Sequence, residues 1–406
     1  MEFDTDIAIV GGGLVGSSLA CALDGAGWRV AQVEAQPPRS GEPAWDERHF
    51  ALARRSVQAL TAWGVWPHAA AEAQAIAHVH VSSRGDFGAV RIHAGEYGLD
   101  ALGRTLPARA LGAALERRLA QCAALERIAP ARVAAFEAIG DAGVLTLDQA
   151  GATRTLRARL VVAADGTDSF LRGTAGIAAD THDYAQVAIA TNVVAARAHE
   201  GWATERFTRD GALALLPLPG DRCGLVWTVP VAEVEALMAL DDASFLARVA
   251  TLGGPRFAGL RRLGRRQAWP LRLTRAQAIT SPRLVLVGNA AQTIHPIGAQ
   301  GFNLGVRDVA GLVELLADAR RRDADPGAAP LLARHAAQRA PDRERTIGWS
   351  DALVRWFGND TRLAGAARGM GFAVLDRATP LKRELAFAMM GYRDGDATTA
   401  AIADAH

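Results

Sequence analysis

A doubly wound α/β fold is what this sequence predicts: a Rossmann-type dinucleotide-binding domain, an inserted and mostly antiparallel β-sheet domain, and a helical C-terminal segment. Three observations carry the prediction. The chain opens on an apolar strand run that ends in a G-x-G-x-x-G turn, DIAIVGGGLVGSSLACALDGAGWRVAQVE. Two later strand runs also end in glycine and short polar residues, ARLVVAADGTDSFLR and LVLVGNAAQTIHPIGAQGFNLGVRD. Between them, residues 185–229 break into short alternating or apolar runs separated by turn residues.

The first unit reads in order. Residues 7–10 form a buried strand, a helix follows over 17–24 and closes near Gly25 or Gly27, and a second strand over 29–33 ends in Glu34. Gly11 permits the tight turn. Gly13 lets backbone touch a pyrophosphate at the helix N-terminus, and Gly16 allows the helix to pack close to the strand. Glu34 stands where an acidic side chain accepts hydrogen bonds from an adenosine ribose. Strand, helix and acid together mark dinucleotide binding; the glycines alone would not.

The second unit, a strand over 160–164, ends in Asp165-Gly166, with Ser169 and Arg172 on the turn and helix beyond. The third, over 284–287, ends in Gly288-Asn289, and a helical rhythm sets in after Asn303 through Val306, Val309, Ala310 and Val313. Bare backbone between them, at Gly298 and Gly301, means that something approaches closely. Three such strand ends imply a long, extended ligand crossing one edge of a parallel sheet. FAD meets that demand better than a transient nicotinamide coenzyme.

The intervening segments 185–194, 201–207, 212–217 and 224–229 read as strands of a lid over the ligand, offering Leu215, Pro217 and Trp227 to a hydrophobic substrate. The dinucleotide domain is then discontinuous, 1–75, 100–178 and 275–345, with 76–99 and 179–274 as the substrate domain and 346–406 as C-terminal helices. In the last part Trp349, Leu353, Trp356 and Phe357 are spaced for one helical face, and Leu385, Phe387, Met389 and Met390 make a second apolar patch. Packing against the core is the ordinary reading of both. A partly exposed patch would instead meet a membrane or a protein partner.

Composition narrows the class. Half of the 406 residues are hydrophobic, which supports a large core and rules out a disordered or fibrous chain. Cys21, Cys122 and Cys223 are too far apart for a disulfide framework or a metal cluster, so no metal is expected and a reducing cytoplasm is. The acidic start shows no secretory signal, and no apolar run of about 18 residues marks a membrane span, so a soluble or peripheral protein is expected. The net charge is +2, with arginine clusters at 261–266 and 320–322 that read as solvated faces more readily than as sites for anionic lipid or phosphate. No nucleic-acid module accompanies them.

Taken together, the opening turn with Glu34, DGTDSFLR and GNAAQTIHPIGAQGFNLGVRD resemble the FAD-dependent aromatic hydroxylases of the para-hydroxybenzoate hydroxylase fold, over nearly the whole chain. The GNAAQ run, H-P-I and Q-G-F-N-L-G-x-R-D, with DERHFAL at 46–52 and ALALLP and LVWTVP within 212–230, look like the ubiquinone-biosynthesis branch, most of all its 2-polyprenyl-6-methoxyphenol hydroxylases. The resemblance implies roles. Arg48 and Arg109 approach the flavin nucleotide's phosphates or ribityl chain, Asp165 and Gly166 serve FAD and the reduced pyridine nucleotide, and Gly288 and Asn289 meet the ribityl region. The backbone of Gly301, Phe302 and Asn303 reaches the isoalloxazine, where amide donors stabilise charge on the reduced ring. His295, Pro296 and Gln300 lie at the flavin face, His295 either moving a proton or merely orienting backbone.

It also implies a reaction. NADPH, NADH or another donor reduces FAD, molecular oxygen adds, and the flavin hydroperoxide passes a hydroxyl group to a polyprenylated phenol. A biosynthetic protein assembly, the surface of the inner membrane and a homodimer are the partners that this reading brings with it. Two departures stand out: many relatives have Asp and His at Asn289 and Gln292, and A-G-Q-G where this chain has Gly298-Ala299-Gln300-Gly301. A hydroxylase of another aromatic substrate, a prenyl-chain reductase that needs no oxygen, and a flavin-binding subunit without turnover remain open. A flavin halogenase needs a lysine beside the flavin, and the sole lysine, Lys382, falls in the C-terminal helices.

Overall fold

The computed structural model describes residues 2–37, 48–358 and 361–392. Asp46 and Glu47 of the DERHFAL motif, and residues 393–406 of the C-terminal segment, lie outside the described residues.

The strand Thr5–Val10 sits at the centre of an eight-stranded sheet because it is apolar on both faces. It pairs in parallel with Ala152–Ala163 on one side, Ile7 opposite Leu160, and with Val30–Val33 on the other, Ile7 opposite Val30. Its side chains alternate between two cores. Ile7 and Ile9 pack with Leu19, Leu111 and Leu312 under the helices Leu14–Ala22, Ala108–Leu119 and Gln300–Arg321. Ala8 and Val10 pack with Phe136, Leu145 and Leu147 of the antiparallel strands Arg132–Ile139 and Ala142–Gln149. Coverage of both faces is why these strands read as unbroken apolar runs. Strand Leu125–Ile128 extends the sheet beyond Val30–Val33, and Leu284–Leu286 pairs in parallel with the end of Ala152–Ala163. All three glycine-bearing strand ends therefore open on one edge.

A second, nine-stranded sheet runs in the order Gln292–Thr293, Gln267–Ala276, Ala179–Ala195, Arg222–Pro230, Gly211–Pro217, Trp202–Thr208, His78–Ser83 and Ala89–His93, with Leu260–Leu263 beside Ala179–Ala195. It is antiparallel except where Trp202–Thr208 meets His78–Ser83. Period-2 alternation again divides its side chains. Leu213, Leu215, Leu225 and Trp227 pack against Phe245 and Val249 of the helix Asp242–Gly253, with Trp227 edge-on to Phe245 at 5.4 Å. Ala212, Ala214, Leu216, Val226 and Thr228 face the opposite way.

This corrects the substrate-lining expectation. Leu215 and Trp227 belong to the helix-covered face, and Pro217, two residues along from Leu215, shares that side. Both faces of these strands are apolar, so alternation alone did not show which one the helices cover.

A three-stranded sheet, His49–Ala53, Gly103–Pro107 and Gln74–Ile76, carries Arg48 at its edge. The arginine clusters are largely solvated faces, with Arg261, Arg262, Arg265 and Arg320 to Arg322 exposed; Arg266 alone turns inward, donating to the carbonyls of Leu237 and Leu240 at 3.0 and 2.7 Å, and Arg321 and Arg322 pair with Asp318 at the surface. In the C-terminal helices, Leu353 and Phe357 pack inward with Phe387, Met389 and Met390, while Trp349 and Trp356 are more than half exposed. The four residues expected on one face are thus split between two. Among the described residues no helix is long and apolar enough to cross a membrane, and all three cysteines are free and buried.

Candidate active site

The first turn is shaped by steric exclusion. At Gly11, with φ +112°, a Cβ would stand 2.3 Å from the Ala164 carbonyl oxygen; at Gly16 it would stand 2.0 Å from the carbonyl oxygen of Gly11. These two glycines let backbone pack on backbone. Gly13 differs, since a Cβ there would meet nothing within 4 Å, and it caps the helix Leu14–Ala22, whose unpaired N–H groups face open space. Glu34 accepts hydrogen bonds from the Gly12 and Gln36 amides, which fixes its carboxylate beside that opening. The helix starts at Leu14, earlier than the sequence predicted, because the glycine turn is itself the cap.

The second turn follows Ala152–Ala163. Asp165 accepts from the Leu171 amide at 3.1 Å through Oδ2, while its Oδ1 is buried with no partner. Gly166 has φ +89° with open space where a Cβ would go. Arg172 donates to the carbonyls of Ala290 and Thr167, tying this turn to the third.

The third turn is held by side chains. Asp308, 3% exposed, accepts from the Gly288 amide at 3.1 Å and from Gln292 Nε2 at 2.7 Å, and pairs with Arg339 Nε at 2.8 Å. Gln292 in turn accepts from Arg343 Nε at 2.7 Å. The amide at position 292 is therefore not a weak replacement for histidine, because its two ends bridge an anion and a cation. Asn303 donates to the carbonyls of Ala51 and Ala299 and accepts from the Ala53 amide, all at 2.9 Å, which anchors the start of Gln300–Arg321 to His49–Ala53. Its side chain is fully engaged with backbone. Gly298 and Ala299 both lie in the left-handed region, at φ +66° and +53°, and Gln300 donates to the Gly298 carbonyl at 3.2 Å.

One cavity of about 1160 Å³ runs past all three turns. Gly12, Gly13, Glu34, Arg48, Arg109, Gly166 and Asn289 line its dinucleotide end, and Pro296, Gln300, Gly301, Phe302 and Asn303 line its middle. Arg48 stacks its guanidinium 4.4 Å from the Trp269 ring, and Arg109 pairs with Glu72 at 3.0 Å. Beyond the loop the wall turns apolar, through Val79, Ile92, Leu102, Leu216, Val226 and Met389.

His295 is not on this wall. It is 1% exposed, edge-on to Tyr184 at 5.0 Å, 3.2 Å from Gln186 Oε1, and accepts from the Ile297 amide through Nδ1. Burial pushes its pKa down to about 4, so it is neutral at physiological pH. Its neighbour Pro296 faces the cavity while the His295 ring turns back towards Tyr184 and Gln186, and Ser350 donates to the His295 carbonyl. The histidine orients the loop, which corrects the proton-moving alternative.

Residues 4–349 match the family model of the FAD binding domain. The ubiquinone hydroxylase UbiL of Rhodospirillum rubrum is 38% identical over 93% of this chain and 87% of its own, and the 3-demethoxyubiquinol 3-hydroxylase of Escherichia coli is 32% identical over 94% and 97%. This chain belongs to the FAD-dependent ubiquinone hydroxylases. It is a flavin-dependent monooxygenase by family. Its fold is also that of p-nitrophenol 4-monooxygenase PnpA from Pseudomonas putida, with a TM-score of 0.78, 19% identity and coverage of 97% of this chain and 100% of that one.

The residues of this hydroxylase fit FAD on their own geometry. Gly13 and Gly166 both line the cavity with open space where a Cβ would go, which leaves room for close backbone contact, whereas Asp165, between the lining residues Ala164 and Gly166, is not itself among them. Sequence reasoning missed three features of the hydroxylase: the Asp308, Arg339 and Arg343 network, the Leu216 and Val226 wall, and Glu205. The RD of GVRD was in view as part of a motif, and only the fold shows its aspartate buried against arginines from the helix Ala329–Phe357.

Proposed function

We propose that this hydroxylase acts on a polyprenylated phenol of the 2-polyprenyl-6-methoxyphenol type in ubiquinone biosynthesis, with NADPH or NADH as electron donor. The observation that carries the reading is the continuity of the cavity, from the glycine turn of a dinucleotide site, past the Gly298–Gly301 backbone, to an apolar chamber. Relatives named for acting on ubiquinone precursors support the substrate class.

In this reading Gly11, Gly13 and the start of Leu14–Ala22 hold the pyrophosphate, and Glu34 the adenosine ribose. Arg48 and Arg109 balance phosphate charge, and Asp165 and Asn289 bind the hydroxyls of the linking chain. FAD, when bound, supplies the two-electron and oxygen chemistry. The chain's own part is placement. The amides at Gly301 to Asn303 present donors to a ring that gains negative charge, Asn303 fixes that segment, and the apolar wall excludes water while it orients the phenol. Exposed Trp349, Trp356, Leu363 and Met370 support delivery of a greasy substrate from the inner-membrane surface or from an assembly to a cytoplasmic enzyme. Flotation with anionic liposomes tests the membrane version, which fails if the intact protein stays in the lower fraction.

The deciding experiment is anaerobic reduction of the FAD-loaded protein by NADPH and by NADH, with and without a short-chain 2-prenyl-6-methoxyphenol, followed by oxygen and product analysis. A hydroxylated phenol is the expected result. Reduction without oxygen transfer to that phenol points to another aromatic substrate or to a reductase.

A further inference from the structure

We propose that Glu205 binds the hydroxyl group of the aromatic substrate, first as hydrogen-bond acceptor and then as the base that takes its proton. The inference rests on the phenol reading above and adds the group that recognises the phenol oxygen.

The argument begins with placement. Glu205 lies on the strand Trp202–Thr208, opposite Ala214 on one side and Val81 on the other, with Ala203 and Phe207 as its neighbours on the same face. It lines the cavity, and among the described residues it is the only ionisable side chain that the nine-stranded sheet contributes to that lining. Among the described residues its single hydrogen-bond partner is the Gly298 amide, at 3.4 Å from Oε1. That amide belongs to the loop that carries Gly301 towards the flavin. The carboxyl therefore stands between the apolar chamber and the backbone that faces the reacting ring.

A carboxyl group in such a wall costs free energy unless something donates to it. One long bond from Gly298 leaves most of its acceptor capacity unused, and the surrounding residues Ala203, Ala214 and Ile297 cannot donate through their side chains. Arg48, which lines the cavity with Arg109, Arg117 and Arg127, is stacked on Trp269. Burial pushes the Glu205 carboxyl up to about 7, with the Gly298 amide pulling in the other direction, so both protonation states are accessible at working pH.

The chemistry balances as a proton transfer. The phenolic O–H bond breaks, an Oε–H bond forms on Glu205, and the electron pair left on the phenol oxygen raises electron density at the ring carbons ortho and para to it. Those are the carbons an electrophilic oxygen attacks. An ordinary phenol titrates near 10, so the proton is shared in the ground state and moves as the ring reacts.

The test is a titration of the FAD-loaded protein with 2-prenyl-6-methoxyphenol and with its methyl ether, read by the change in flavin absorbance between about pH 5 and about pH 9. A carboxylate accepts a stronger hydrogen bond than a carboxylic acid, so wild-type affinity for the phenol should rise about tenfold as pH passes neutrality, while affinity for the ether stays flat. Glu205→Gln should flatten the phenol curve, and Glu205→Asp should restore part of the slope. In turnover Glu205→Gln should lower kcat about a hundredfold and erase the acid limb of the pH profile. A merely structural role would weaken both ligands alike at every pH. An unchanged slope in Glu205→Gln overturns the proposal alone. Failure of either ligand to perturb the wild-type flavin overturns the phenol reading, and the proposal with it.

Discussion

The first and third strand-to-helix turns reach the same cavity and are held in opposite ways. The first is set mainly by sterics: Gly11 and Gly16 fit because backbone atoms occupy the space a Cβ would need, while the Glu34 carboxylate braces the Gly12 and Gln36 amides. The third has room to spare at Gly298 and Gly301, where a Cβ would meet nothing nearer than 3.9 Å. What fixes it is a set of buried polar side chains from remote segments, Asp308 on the Gly288 amide, Arg343 on the Ala276 and Ala291 carbonyls, and Asn303 on Ala51 and Ala53. A turn that binds an invariant pyrophosphate can be set by sterics. A turn that must place backbone donors against a reacting ring is set by side chains from two helices, Gln300–Arg321 and Ala329–Phe357.

That contrast can be broken from either side. The largest effect is expected from Asp308→Ala, which leaves Arg339 and Arg343 buried with part of their charge compensation gone. Removing one partner of a buried pair costs about 3–5 kcal/mol, and urea unfolding of the FAD-loaded protein should show it. A loss under about 1 kcal/mol would mean that Asp342, 2.7 Å from Arg339, carries the network alone.

Next comes Gly16→Ala. The new Cβ would press on the Gly11 carbonyl with no flexible side chain to yield, so a cost near the upper end of the roughly 1–3 kcal/mol typical of overpacking is expected. FAD content after purification should fall with it, and a fully flavinated variant would refute the steric account of this turn.

The smallest effect has the opposite sign. Ala299 sits at φ +53°, a conformation that costs a non-glycine residue about 1–2 kcal/mol, and Ala299→Gly recovers part of this against the greater chain entropy of glycine. A gain below about 1 kcal/mol in urea is expected, and a loss would show that the alanine methyl packs in a way that matters more than its backbone strain.

Legibility follows the same division. Glu34, Asp165, Gly166 and Asn289 were visible because each stands at a fixed offset from a strand end, and the structure places each of these strand ends beside the cavity. Leu215 and Trp227 were misplaced by one step of the pleat, since the residues on either side of them are also apolar. His295 was drawn to the flavin by its neighbour Pro296, and only its ring contacts with Tyr184 and Gln186 show that it turns away. Glu205 gave no signal at all: a single acid in TERF, directly beside Arg206, reads as a solvated strand position.

By itself, then, the sequence determined the βαβ unit, the three glycine-bearing strand ends and the extended cofactor they serve. Each of these is a short-range property, fixed by which backbone angles and contacts neighbouring residues permit. Tertiary structure alone decided which face of the antiparallel sheet meets the substrate, that Asp308 and Arg343 clamp the last turn, and that a lone glutamate stands in an apolar wall. Those outcomes depend on what covers each surface. The helices Val231–Ala239 and Asp242–Gly253 take one face of the sheet and leave Glu205, with Ala214 and Leu216, to the other.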